Sequence, residues 1–367
     1  MPHSTPALTE ADRLMTVCNS CRYCEGLCAV FPAMEMKRAF SDGDLNHLAN
    51  LCHSCGACYH DCQFSPPHEF NVNVPQVLAQ VRGESYAHYA WPAAARPLFA
   101  RHGMVLALGI VAGFALFMLG FVAMQDAGAI WSAHRADNGF YALMPHNVMV
   151  TVFGAAFAWM LLAVFMGARA FWRDAGAVDM AATDHASAAH DAARLTYLDG
   201  GGQGCFNADD TPTDRRRLWH HLTFYGFLLC FASTSLATVY HYVLGRPAPY
   251  SWWDAPALLG ILGGIGLVIG AGGLLYAKLT RLDDLKTPGF RGMEYGFVVI
   301  LLLTGASGLL LRFLGHTPLM GVLLALHLGA VLTFFLTMPY GKFVHGLYRY
   351  LALARYARDS RKAGHHP

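Results

Sequence analysis

Two stretches of this sequence, CNSCRYCEGLC from Cys18 to Cys28 and CHSCGACYHDC from Cys52 to Cys62, place eight thiols in one repeated pattern. Each reads C-x2-C-x2-C-x3-C, formed by Cys18, Cys21, Cys24 and Cys28 and again by Cys52, Cys55, Cys58 and Cys62. Three thiolates at three-residue steps have the reach to hold three irons of a [4Fe–4S] cubane, and the fourth iron takes a thiolate from elsewhere. Zinc does not suit this spacing, because a structural zinc site uses two separated pairs and has no use for a third cysteine three residues on. A disulfide scaffold needs an oxidising compartment. The N-terminal MPHSTPALTEADRLMTVC lacks the apolar centre of a secretory signal, so the cysteine-rich part is expected in the cytoplasm with its thiols reduced.

Two such runs make the bacterial ferredoxin arrangement for two [4Fe–4S] clusters, in which the fourth cysteine of each run ligates the other cluster. On that arrangement Cys28 completes the set Cys52, Cys55 and Cys58, and Cys62 completes the set Cys18, Cys21 and Cys24. The crossing accounts for the duplication: it staples one small domain and keeps both clusters within reach of each other. One feature departs from the ferredoxin pattern, where proline directly follows the fourth cysteine; here Pro32 and Pro66 come four residues after Cys28 and Cys62. The turn after each run therefore differs. Gly26, Gly56 and Ala57 allow the backbone a close approach to a cluster. His53, His60 and His68 read as surface or hydrogen-bonding residues, since the cysteines already complete both ligand sets.

The elements that must carry these sites are largely apolar. Of 367 residues, 55% are hydrophobic and only 14% charged, with mean hydropathy +0.34, a balance that belongs to a membrane protein. A net charge of +2 gives no case for nucleic-acid binding. Six apolar runs lie at 103–124, 146–168, 219–244, 255–277, 294–314 and 319–340, each near the ~20 residues a helix needs to cross the hydrocarbon. Gly315 and Pro318 make a turn between the last two. Arg96, Arg101, Arg169, Arg173, Arg194, the arginines at 215–217, Lys278, Arg281, Lys286, Arg291 and the basic segment from Lys342 fall on one side, against Arg135, Arg246 and Arg312 on the other. The positive-inside rule then puts the cluster domain, the 169–217 loop and the C-terminus in the cytoplasm. The expected organisation is a two-cluster domain over 1–100, a six-span membrane domain over 101–345 and a basic tail over 346–367.

Ionisable residues inside such helices are rare and usually functional. His221 and His241 lie twenty residues apart on the third run, and His327 and His345 eighteen apart on and beyond the sixth. At 1.5 Å per residue these separations are about 30 and 27 Å, on helices that run in opposite directions. Two stacked bis-histidine b-haem sites require this layout: His241 with His327 toward the outer leaflet, and His221, or its neighbour His220, with His345 toward the cytoplasm. His146 and His102 are alternative ligands. The competing account is an interfacial belt without cofactor, in which Trp219, Tyr240, Tyr242, Trp252 and Trp253 would take part. The stretch GILGGIGLVIGAGG suits close packing of membrane helices.

The loop YLDGGGQGCFNADDTPTDRRR has glycines of the kind that cradle phosphate, but not between a strand and a helix, so it reads as a flexible docking segment beside the cluster domain. Cys205 within it reads as a free thiol, and Cys230, mid-span, as a small packing residue.

With the doubled runs, six spans and histidine pairs in view, CRYCEGLCAVFPAM, CHSCGACYHDCQFSPPHEFNVNVP, YLDGGGQGC and HHLTFYGFLLCFASTSLATVYHY together resemble the TcuB (CitB-like) family of tricarballylate utilisation proteins over nearly the whole chain. The resemblance implies a mainly α fold: a ferredoxin-like two-cluster helical module followed by a six-helix transmembrane bundle similar to nitrate-reductase gamma-type cytochrome b subunits. It also implies an electron conveyor in a bacterial inner membrane. A partner flavoprotein, the FAD-dependent tricarballylate dehydrogenase, would be reoxidised through two [4Fe–4S] clusters and haem b, with electrons passed to membrane quinone. No flavin-binding fingerprint occurs in this chain, as a separate flavoprotein requires. The alternatives are a quinone-linked subunit of a heterodisulfide-reductase-like complex and a redox-sensing membrane protein.

Overall fold

Both cysteine runs begin where a helix stops, and the capping residues say why. Helix α1 (Pro6–Cys21) starts at Thr5, whose side chain accepts from the Leu8 amide, with proline in the first turn. It ends at Arg22, a left-handed residue whose N–H returns to the Cys18 carbonyl. Cys18 and Cys21 thus sit on the last turn of α1, and Cys24 and Cys28 on the loop before α2 (Val30–Glu35). Helix α3 (Asp42–Leu51) opens on a reciprocal Ser41–Asp44 capping box and stops at Cys52, where the backbone becomes extended. Cys58 rides on the single turn α4 (Ala57–His60), and α5 (Val74–His88) starts from Asn73, which caps the Gln76 amide. The structure is a computed structural model that describes residues 3–125, 127–132, 139–176, 178–207 and 211–364. Arg135, counted above among the opposite-side arginines, lies outside the described residues.

Among the described residues, six helices are long and apolar enough to cross a membrane: His102–Met124, His146–Ala175, Arg215–Tyr242, Ala255–Leu279, Arg291–Leu314 and Met320–Tyr340, called spans one to six below. The chain is a mainly helical, multi-pass membrane protein. Span two runs to Ala175, beyond the apolar run read from the sequence, because its last turns enter the cluster domain, where Phe171 and Ala175 are buried. Glycines set the helix separation. A Cβ on Gly263 of span four would lie 2.7 Å from the Cys230 amide nitrogen of span three, and one on Gly113 of span one 2.9 Å from the Gly329 Cα of span six.

The segment expected as a basic tail is instead a helix, His345–Lys362, built into the core of the cluster domain. Tyr348 and the whole run of residues 352–357 are buried, so the helix is enclosed on all sides rather than along one face. Tyr348 stacks on Phe171 with ring centroids 5.0 Å apart, and lies 5.7 Å from Tyr86 of α5. The basic residues that made this stretch look like a tail are paired: Arg355 with Asp44 at 2.5 Å, and Arg361 with Asp184 of the connecting helix Ala182–Arg194 at 2.8 Å. The cluster domain therefore closes only when residues from the end of span two and from the C-terminal helix join α1–α5.

Gly263→Val forces spans three and four apart. We expect a loss of roughly 1–3 kcal/mol, the usual cost of overpacking, read as a lower Tm in detergent. Gly272→Ala, where a Cβ meets nothing within 4 Å, should leave Tm unchanged.

Candidate electron-transfer site

The eight cysteines gather in two sets, each drawing one member from the other run. Cys18, Cys21, Cys24 and Cys62 line a single recess of about 370 Å³, open mouth included, together with Val17, Phe31, Phe64 and Val72. Cys28 faces the other run: its thiol is pushed well above the ordinary range by burial and then by Cys55 and Cys52. Cys58 is raised by burial, then by Cys55, Cys28 and Cys52. In the first set, burial followed by neighbouring cysteines, Cys62 among them, pushes Cys18 and Cys24 up to about 12. Thiolates crowded in this way are unfavourable without a cation, and iron is the compensation that such donors fit. Among the described residues, no three His, Cys, Asp or Glu side chains converge on one ion position; the sulfurs surround a space instead.

The glycine-rich loop of residues 200–204 straps over both runs. Gly200, Gly201 and Gly204 have φ of +60°, +75° and +102°, a region that favours glycine. A Cβ on Gly200 would lie 3.0 Å from that of Ala57, and one on Gly201 3.0 Å from Leu27 Cδ2, so the strap touches the second run and the first in turn. It leads into a small hairpin, β1 (Cys205–Phe206) with β2 (Pro212–Thr213), and the Phe206 amide donates to the Cys55 carbonyl at 3.0 Å. Cys205 is a buried free thiol 3.2 Å from the Leu198 carbonyl, packed beside Cys55.

The second set lies against the membrane bundle, and four arginines fix it there. Arg82 of α5 donates to the Ala49 carbonyl at 3.2 Å, to that of Cys52, and to Ser54 Oγ at 3.1 Å. Arg349 of the C-terminal helix donates to the Asn50 and Cys52 carbonyls at 3.2 and 2.7 Å. Arg216, at the start of span three, donates to the His53 and Ser54 carbonyls at 3.0 and 2.7 Å, and Arg281, just after span four, to Ser54 at 2.8 Å. Burial, followed by a neighbouring arginine, brings Arg281 and Arg349 down to about 10, so both stay charged at neutral pH. His53 is buried, with its Nδ1 3.0 Å from the Leu51 carbonyl, and burial followed by Arg349, Arg216 and His220 holds it well below the usual histidine range. His60 stacks on Phe206 at 4.1 Å, and His68 accepts from the Phe70 amide.

Of the membrane histidines, the structure brings together His220 and His345, with ring centroids 6.1 Å apart. Imidazole nitrogens bind a transition metal at about 2.0–2.1 Å, so two rings clamping one iron stand roughly 6 Å apart. His345 Nδ1 lies 2.5 Å from the Lys342 carbonyl, which assigns its proton there and leaves Nε2 as the free donor atom. His220 Nδ1 is buried without a partner. Burial, then Arg349 and His220, hold His345 well below the usual range, in the neutral form a metal ligand needs. His221 points elsewhere, toward Tyr225 at 5.9 Å, so the two neighbours that spacing leaves equivalent are distinguished by which one faces His345.

The expected pairing of His241 with His327 is not what the fold makes. His241 stacks on His146 of span two at 3.8 Å with the planes 12° apart, while His327 binds Ser307 Oγ of span five through Nδ1 at 3.0 Å and packs over Gly308. Equal residue counts along two helices match depth only. The rotation of each helix decides which ring meets which, and no ring contact joins His241 to His327 among the described residues. His102 is buried beneath Gly341 with Nδ1 unpartnered.

The sequence model of the family described as Citrate utilization protein B matches residues 100–366, and that of the Citrate utilization protein B Fer4-like domain matches residues 11–88. A relative from Escherichia coli, called Citrate utilization protein B, is 47% identical over 354 residues, covering 96% of this chain and 93% of the relative. No solved structure matches. The glycine strap packs over this Fer4-like domain, at Ala57 and at Leu27. Gly201→Val should lift it from Leu27 and speed the bleaching of visible cluster absorbance in air several-fold, whereas Gly26→Ala, in open space, should not.

Proposed function

We propose that this chain, which belongs to the citrate utilization protein B family, takes electrons from a soluble flavoprotein and delivers them to membrane quinone through two [4Fe–4S] clusters and haem b. The iron–sulfur electron-transfer role follows from the family and its Fer4-like domain. The observation that carries the finer reading is the crossed grouping of the cysteines, with Cys62 in the recess of the first run and Cys28 against the second.

In this reading Cys18, Cys21, Cys24 and Cys62 hold an outer cluster, and Cys28, Cys52, Cys55 and Cys58 an inner one. Tyr23, 73% exposed on the loop between Cys21 and Cys24, stands at the entrance where a flavoprotein would dock. The inner loop is bound to Arg216, beside His220, and to Arg349, four residues after His345, so the two histidines that would hold a haem lie next to the inner set. Bound clusters and haem supply one-electron carriers; the chain supplies their spacing, keeps water from the inner set with the strap, and presents neutral imidazole to iron. The cysteine end of the bundle, where the basic residues collect, is on the cytoplasmic side of a bacterial inner membrane. The partner that the sequence resemblance implies is the FAD-dependent tricarballylate dehydrogenase, while the name of the relative speaks of citrate. Reduction by flavoprotein supplied with tricarballylate, and not with citrate, would support the first.

The test is spectroscopic. In anaerobically purified full-length protein, Cys28→Ser should perturb the same EPR signal as Cys55→Ser, and Cys62→Ser the same one as Cys21→Ser, each variant losing about half the iron. A signal shared by Cys28→Ser and Cys21→Ser would sink the crossed arrangement. By pyridine haemochrome, His220→Ala and His345→Ala should each abolish one haem b, and His221→Ala should retain it; the reverse result would overturn the assignment.

A further inference from the structure

We propose that Arg82, Arg216, Arg281 and Arg349 make the inner cysteine site the more easily reduced of the two, and so set the direction of electron flow toward the membrane. The inference rests on the two-cluster reading above and concerns what the chain does to those sites. Reduction of a cluster adds one negative charge and no proton: the electron leaves the outer site, which is oxidised, and enters the inner site, which is reduced. Reduction potential follows net charge, hydrogen bonds to sulfur and exposure to solvent.

The two sites differ most in the first respect. Around the inner loop, four guanidinium groups donate to the carbonyls of residues 49, 50, 52, 53 and 54. Turning those oxygens outward leaves amides on the sulfur side, and the Ser54 amide donates to Cys52 Sγ at 3.3 Å. Ser54 takes a left-handed conformation, φ 51°, to do so. The outer site has one lining guanidinium, Arg22, and a carboxylate, Asp61, close enough to Cys24 to raise its thiol. Its sulfurs also accept hydrogen bonds, since the Phe64 and Ser65 amides bond Cys62 and Gln63 Nε2 lies 4.0 Å from Cys21 Sγ, so charge separates the two sites more than hydrogen bonding does. Exposure acts in the opposite sense, since water at the open recess favours the reduced outer cluster. Cations at an interface with little water act at low effective dielectric, where each is worth several times its value in solution; four of them outweigh the difference in hydration.

A collar that merely docked two domains would use the same residues, so the test must separate charge from shape. In full-length protein, EPR-monitored redox titration should give the signal lost in Cys55→Ser a higher midpoint than the signal lost in Cys21→Ser. Arg281→Gln should retain eight irons per chain and lower the inner midpoint by about 59 mV, a tenfold change in the one-electron equilibrium constant, without moving the outer one. Arg281→Lys should restore most of it. An unchanged midpoint in Arg281→Gln, or equal shifts in the Gln and Lys variants, would overturn the proposal. If Arg281→Gln fails to hold iron, Arg349→Gln is read in the same way. In the unaltered protein, an inner midpoint below the outer one refutes the proposal whatever the variants do. Fewer than two cluster signals in that protein would be a different failure, that of the two-cluster reading itself.

Discussion

The grip of four guanidinium groups on the carbonyls of residues 49–54 is the contact through which the two halves of this molecule become one. Those carbonyls lose their helical partners where α3 ends at Cys52, and a buried carbonyl without a donor costs free energy comparable to a lost hydrogen bond. Arginine supplies the donors in pairs, with fixed geometry. Because the four come from α5, span three, the segment after span four and the C-terminal helix, satisfying one loop orients all of them. Four like charges around one turn are costly to assemble by themselves. The arrangement is balanced by carbonyl dipoles and, when iron is bound, by an anionic ligand set.

That dependence explains why the chain does not divide as its composition suggests. A boundary near residue 100 is visible in hydropathy, yet three ring contacts cross it: Tyr86 with Tyr348, Tyr89 with Phe171, and Tyr89 with Tyr348. Asn46 donates to the Tyr89 hydroxyl, which in turn donates to Asp174 at the end of span two. Buried polar links of this kind add little net stability but fix one arrangement against its alternatives. For an electron carrier, fixed spacing is the property that matters.

What the sequence made legible follows from how far each signal reaches. The cysteine spacing is a local code for cubane geometry, and the six spans are long apolar runs; both are visible without any tertiary knowledge. The histidines are different. Depth in the membrane can be counted along a helix, but His220 and His221 differ only by a 100° rotation, and only the packed bundle turns one of them toward His345. The neighbour of His241 proved to be His146, a residue at the start of span two that helix-counting treated as an alternative. The C-terminal helix was hidden for a related reason: its charges look solvated until Asp44 and Asp184, far away in sequence, are placed opposite them. The glycines at 200–204 read as a flexible docking segment beside the cluster domain, and nothing local shows that the loop spans both cysteine runs.

The short segment 338–345 shows how these constraints converge. Glu294 of span five accepts from Lys278 at 2.9 Å and from Lys342 at 2.5 Å, a half-buried carboxylate held between two ammonium groups. The carbonyl of that same Lys342 takes the Nδ1 proton of His345, so the side chain anchors the segment to spans four and five while the backbone sets the tautomer of the imidazole. One turn later the helix presents Tyr348 to the core of the cluster domain and Arg349 to the Cys52 carbonyl. The orientation of the candidate haem ligand, the seating of the cluster domain and one quarter of the arginine collar thus depend on one ion-paired lysine. A change there reaches both candidate redox sites at once, through the backbone and without touching any candidate iron ligand.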